Sequence, residues 1–312
     1  MGKPKYILLV RHGESEGNLD KTVNSVTANH LIPLTSTGHK QAQDAGKVLR
    51  QFLNQDILQC SKGQKKQSIL FYTSPYKRAR QTCDNIIDGI KDVDGVEYSV
   101  KEEPRMREQD FGNFQSTTEE MEKIWEERAH YGHFFFRIPH GESAADVYDR
   151  ISSFNESLFR QFQNPDFPNI LVLVTHGIWA RVFLMKWFRW TYEEFETLRN
   201  IPHCHFLIMK RDDKQYTLKT PLKTWDDFDD DEIENNKDID KEIRDEINFN
   251  SAFQLKSNLN DLDIQSIIQA QKKAIKNTKK DSLIKKAFEK VKGDKFEYGN
   301  QSQINSSESL GK

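Results

Sequence analysis

Three runs, Tyr6 to Val10, Ser68 to Tyr72 and Ile170 to Thr175, are almost wholly apolar and are bounded by polar residues. Five or six residues without polar alternation form the pattern of strands covered on both faces. Between and after them lie longer segments with helical signals, Gly38 to Leu53, Tyr76 to Ile90 and Ser143 to Phe162, each preceded by a cluster of Ser, Thr, Pro or Gly that suits a helix start. Strands alternating with helices predict an α/β fold with a mostly parallel central sheet and helices on both faces. Ligand sites in such sheets lie at the carboxyl ends of the strands. Further on, His205 to Met209 and Tyr216 to Leu218, separated by charged residues, predict a late hairpin.

This alternation stops near Trp225. All nine His, nine Pro and five Trp fall before Asp226, and the charges beyond it are sorted, with 12 acids against 3 bases over 226–250 and then 10 Lys against 4 acids over 271–297. The 312-residue chain therefore divides into a module of residues 1–225 and a charged tail of residues 226–312. Within the tail, Ile264, Ile267, Ile268 and Ile275, and again Ile284, Ala287, Phe288 and Val291, share helical faces. Such amphipathic helices suit contact with a membrane surface or a protein partner.

The charge balance, 46 basic against 48 acidic residues, argues against a dedicated nucleic-acid binder. No apolar run approaches the roughly 20 residues that cross a bilayer, and the N-terminus lacks the pattern of a secretory signal. Cys60, Cys83 and Cys204 are odd in number and far apart, which suits reduced thiols. A cytoplasmic location is expected.

The ends of the three strands carry the chemistry. The first runs into Arg11-His12-Gly13-Glu14-Ser15, the second into Thr73-Ser74-Pro75 ahead of a helix bearing Arg78, and the third into Thr175-His176-Gly177. Two arginines and two histidines at one sheet edge make a site for a dianion, since guanidinium binds phosphate oxygens bidentately and keeps its charge. Helix N-termini beyond Gly13 and Gly177 are expected to add oriented N–H groups. A phosphate pocket follows without a metal or other cofactor.

Leu9 to Ser15, Pro33-Leu34-Thr35 leading to Gly38, Ser74 to Thr82, Arg107-Glu108 to Gln115 and Thr175-His176-Gly177 together resemble, in order and spacing, the histidine phosphatase superfamily in its phosphoglycerate-mutase-like branch. The runs 131–153 and 174–195 further resemble its fungal broad-range acid phosphatases, and the tail lies outside the resemblance. The resemblance implies a three-layer phosphoglycerate-mutase-like fold and hydrolysis of phosphorylated small molecules. It implies His12 as the nucleophile that becomes phosphohistidine, Arg11, Arg78 and His176 as the phosphate-pocket residues, and Asn18 as a further donor to phosphate. It also implies Glu108 as the proton donor and a low pH optimum. The unattacking ring nitrogen of His12 is expected to donate to a backbone carbonyl, which fixes the tautomer. Gly13 and Arg107 are further substrate-binding candidates.

Several features have competing readings. Arg80 lies two residues from Arg78 and faces elsewhere on a helix. His140-Gly141-Glu142-Ser143 repeats the letters of His12 to Ser15 but follows Pro139 and opens a helix, so it reads as a loop and cap. His203-Cys204-His205 holds ligand types for zinc without a second ligand cluster, so no metal is expected there. The stretch Ala129 to Arg137, rich in aromatic residues and carrying His133 and Arg137, reads either as an insertion over the pocket that selects substrates or as a packed helix end or loop. The alternatives to a phosphatase are a phosphoglycerate mutase and a phosphatase-fold binding protein acting through the tail.

Overall fold

The structure, a computed structural model, describes residues 2–59, 67–112, 118–213 and 215–224. Cys60 and the tail with its expected helices lie outside them. In chain order the elements are β1 (Tyr6–Arg11), α1 (Glu16–Leu19), α2 (Val23–Val26), α3 (Ser36–Gln59), β2 (Gln67–Thr73), α4 (Lys77–Asp88), β3 (Val96–Glu102), α5 (Thr118–Tyr131), α6 (Ala144–Gln161), β4 (Ile170–Thr175), α7 (Gly177–Phe188), α8 (Tyr192–Thr197), β5 (Phe206–Asp212) and β6 (Gln215–Leu218).

The strands form one sheet in the order β3-β2-β4-β1-β5-β6. The first four in that order are parallel, and β5 and β6 are antiparallel, so the predicted hairpin closes one edge. Because side chains alternate across a strand, each buried strand serves two cores. Ile7, Leu9, Leu70, Tyr72, Leu171 and Leu173 meet α6 and α7 on one face. Tyr6, Leu8, Val10, Phe71, Val172 and Val174 meet α3 and α4 on the other. The α7 helix is apolar around most of its circumference, as expected of a helix enclosed by the fold. No helix of the described residues is long and apolar enough to cross a membrane.

Two elements escape the sequence pattern. Strand β3 sits at the sheet edge with Tyr98 and Val100 exposed and charged residues flanking them, so it carries no buried run. Helix α5 presents charged residues along much of its length and buries only part of one face, at Met121 and Arg128.

Register brings the three strand ends together. Arg11 pairs with Thr175, and Thr73 pairs with Val174, so the residues after β1, β2 and β4 emerge side by side. The turn after β1 is pressed against the first turn of α3. A Cβ on Gly38 would strike the carbonyl oxygen of Glu14, and one on Gly13 would strike the carbonyl oxygen of Gly38. Both obstacles are backbone and have nowhere to go. Gly38→Ala is therefore expected to lower unfolding stability by about 1–3 kcal/mol, read as a reduced urea midpoint; an unchanged midpoint would show that the turn can retreat.

Candidate active site

His12 leaves β1 with its backbone N–H donating to the Thr175 carbonyl at 2.9 Å, and its ring is buried. Nδ1 lies 2.7 Å from the Gly13 carbonyl oxygen, and Nε2 lies 3.2 Å from Nε of Arg78. A carbonyl only accepts and a guanidinium only donates. Both contacts are satisfied together when Nδ1 carries the hydrogen and Nε2 carries the lone pair. Burial first, and then the charge of Arg78, hold the His12 pKa well below its ordinary value, so the ring is neutral. Behind it, His203 Nδ1 donates to the His12 carbonyl at 2.7 Å, and Cys204 N–H donates to the Arg11 carbonyl at 2.9 Å.

The cations are individually fastened. Arg11 donates from Nη1 to the Ile201 carbonyl at 2.7 Å, and Arg78 donates from Nη1 to the Asn29 carbonyl at 2.7 Å. Burial pulls the Arg78 pKa down to about 10, leaving it charged at neutral pH. The His176 ring lies 5.1 Å from that of His12, with Nε2 2.7 Å from Ser74 Oγ. Ser74 Oγ also accepts from the Tyr76 N–H at 3.3 Å. His176 Nδ1 is buried with no hydrogen-bond partner among the described residues. His176 too is kept neutral by burial, and next by Arg78. Arg80 pairs instead with Glu102 at 3.7 Å, away from the cleft.

Arg11, His12, Asn18, Arg78 and Glu108 line one cleft of about 360 Å³. Asn18 accepts from Ser15 N and Oγ through Oδ1, so its Nδ2 is what it offers the cleft. Glu108 accepts through Oε1 from Gln109 N at 3.0 Å and from Trp179 N, in the first turn of α7, at 3.3 Å. Its backbone is clamped by Arg150 of α6, which donates to the carbonyls of Arg105, Arg107 and Glu108 at 2.7, 2.8 and 3.0 Å. Glu142 pairs with Arg150 at 2.9 Å and with Arg107 at 2.7 Å, and accepts from Asp110 N at 3.1 Å. The segment 140–143 is the loop and cap expected from sequence, with Ser143 capping α6. It is also the buttress that holds the Glu108 segment, a role sequence reasoning missed.

Several expected contributors lie elsewhere. The Gly13 N–H donates to Thr82 Oγ1, Glu14 N–H to Gln41, Ser15 N–H to Asn18 and Glu16 N–H to the Pro33 carbonyl. The turn beyond Gly13 therefore spends these N–H groups on the fold, and the expected helix there is only the four-residue α1. Arg107 is engaged by Glu142 and does not line the cleft. Arg137 is exposed and pairs with Asp146 at 2.6 Å. His133 is half-buried near Arg128 and Arg181, its pKa lowered to about 4 mainly by burial. Neither of these two lines the cleft. Phe134, between them, turns into the core against Tyr148 and Phe195 and takes the stretch with it. The apolar wall comes instead from Phe111, Met121 and Trp125, and Lys21, Asn24 and Asn29 complete the rim.

The family model for the histidine phosphatase superfamily (branch 1) matches residues 7–223. The broad-range acid phosphatase DET1 of Saccharomyces cerevisiae is 40% identical, over 72% of this chain and 91% of that protein. The phosphoglycerate mutase-like protein AT74H of Arabidopsis thaliana is 46% identical, over 66% of this chain and 74% of its own length. Among solved structures, a mycobacterial glucosyl-3-phosphoglycerate phosphatase superposes with a TM-score of 0.52 at 19% identity, covering 71% of this chain and 98% of that one. The structure titled mycobacterial hydrolase 1 gives 0.53 at 17% identity, over 70% and 99%. The two structures share the fold.

The buried histidines make acid stability predictable. Folded-state pKa values of His12 and His176 lie well below 6.5, with His133 at about 4 and His205 at about 3. Below pH 6.5 the unfolded chain binds protons that the fold refuses, so stability falls as pH drops, by at most about 1.4 kcal/mol per pH unit for each such histidine. Urea midpoints measured at pH 7 and pH 5 are expected to be clearly lower at pH 5; equal midpoints would contradict the neutral buried rings.

Proposed function

This chain belongs to the histidine phosphatase superfamily and is a phosphatase acting on a phosphorylated small molecule, and on that premise we propose that it hydrolyses phosphomonoesters through a phosphohistidine on His12. The observation that carries this reading is the locked tautomer of His12, whose Nε2 lone pair is held by Arg78 in a cleft also lined by Arg11. Phosphate oxygens entering the cleft take over the Arg78 donor and free the lone pair. Nε2 then attacks phosphorus in line as the ester P–O bond breaks, and Glu108 gives its proton to the leaving oxygen. Water next attacks the phosphohistidine; Glu108 takes a proton from it, the N–P bond breaks and phosphate departs. Arg11, Arg78 and His176 offset the charge that spreads over the equatorial oxygens. The cleft adjacent to this pocket favours hydrolysis over mutase action: apart from Arg11 and Arg78, its described lining carries one further cation, Lys21, for a carboxylate or second phosphate. The catalytic module assigned here is residues 1–225, supported by the span of the family match.

His12→Ala is expected to lower kcat/KM for a simple monoester by at least about 10³-fold, and Glu108→Gln by about 10²–10⁴-fold with an alkoxide leaving group. The depressed His12 pKa also sets the sign of the acid limb. The neutral ring is the active form, so activity persists below pH 6.5 and is lost only when pH falls through the lowered value. A phosphatase panel with a pH–rate profile tests all of this. Activity surviving in His12→Ala, an acid limb centred at pH 6.5, or phosphoglycerate interconversion far exceeding hydrolysis would each overturn the reading.

A further inference from the structure

One wall of the cleft that Arg11 and Arg78 line is apolar, and it is built and held before any ligand arrives. Phe111 follows Glu108 by three residues, and Met121 and Trp125 lie one turn apart on α5; all three line the cleft. The Phe111 and Trp125 rings meet edge to face with centroids 5.6 Å apart. The guanidinium of Arg128, buried one turn further along α5, lies over the Trp125 ring at 5.3 Å. Arg128 also donates to Gln109 Oε1 at 3.4 Å, and Gln109 Nε2 donates to the Glu142 carbonyl at 2.6 Å. The aromatic pair is thus tied to the buttress that holds Glu108. Trp125 nevertheless keeps 37% of its surface exposed, which leaves ring surface for a ligand to cover.

We propose that Phe111, Met121 and Trp125 form the leaving-group subsite, and that the preferred substrates are monophosphates of flat, uncharged aromatic alcohols. This deepens the phosphohistidine reading and rests on it. The phosphate is met by Arg11 and Arg78, and an alcohol leaving beside Glu108 departs along the face where Phe111 stands. A second anionic group on that side would lose its hydration against three apolar side chains. An aromatic ring there exchanges water for an edge or a face of Trp125 and Phe111.

Benzyl phosphate and glycerol 3-phosphate both expel primary alkoxides of similar intrinsic reactivity, so their kcat/KM ratio reports the subsite and not the chemistry. The full-length protein is expected to favour benzyl phosphate. Trp125→Ala and Phe111→Ala are each expected to reduce that ratio by about tenfold, and Trp125→Phe to keep it within about threefold of the starting value. Because the readout is a ratio, a variant that is partly unfolded still gives a valid answer. Hydrolysis of both esters with a ratio unmoved by Trp125→Ala and Phe111→Ala would overturn the subsite alone. Activity of His12→Ala equal to that of the parent protein on both esters would instead overturn the phosphohistidine reading beneath it.

Discussion

The hydrogen bond from His12 Nδ1 to the Gly13 carbonyl is the contact on which the rest of the site depends. It decides which ring nitrogen keeps its lone pair, and it exists because the chain turns sharply as it leaves β1. That turn is held on every side: Gly38 packs against its backbone, Thr82 and Gln41 take its N–H groups, and Thr35 donates to Glu14. The two helices on one face of the sheet, α3 and α4, thereby set the protonation geometry of a ring at the end of a strand.

Positive charge in a buried site has to be held in place, since two guanidinium groups near each other repel and both lose hydration. Here each is tethered to a backbone carbonyl, Arg11 to Ile201 and Arg78 to Asn29. The nearby histidines relieve the repulsion by staying neutral. Under the proposed reading, a phosphate dianion supplies the balancing negative charge. Glu108 is treated differently. Its position comes from the other side of the sheet, through Arg150, Glu142 and the first turn of α7. The two halves of the chemistry are therefore supported by different layers of the fold and meet at the cleft.

Much of this was legible in the sequence. The apolar runs at Tyr6, Ser68 and Ile170 mark the central strands because burial on both faces leaves no polar alternation. The residues that follow them, Arg11, His12, Ser74 and His176, come together because parallel strands in register end at one edge. Strand β3 was invisible because an exposed edge strand needs no apolar run. The stretch 129–137 stayed open between an insertion over the pocket and a packed segment because its aromatic composition says nothing about which way Phe134 points; packing against Tyr148 and Phe195 took it into the core.

The sequence alone determined the layer order, the strand-end cluster of histidine and arginine, and the break in character at residue 226. These depend on periodicity and on residues adjacent in the chain. Only the tertiary structure decided which N–H groups remained for a ligand, that Glu142 and Arg150 buttress Glu108, and that Trp125 instead of Arg137 faces the cleft. Each of those outcomes is a pairing between segments tens of residues apart, and no local pattern encodes which of several competent donors or rings wins a given partner.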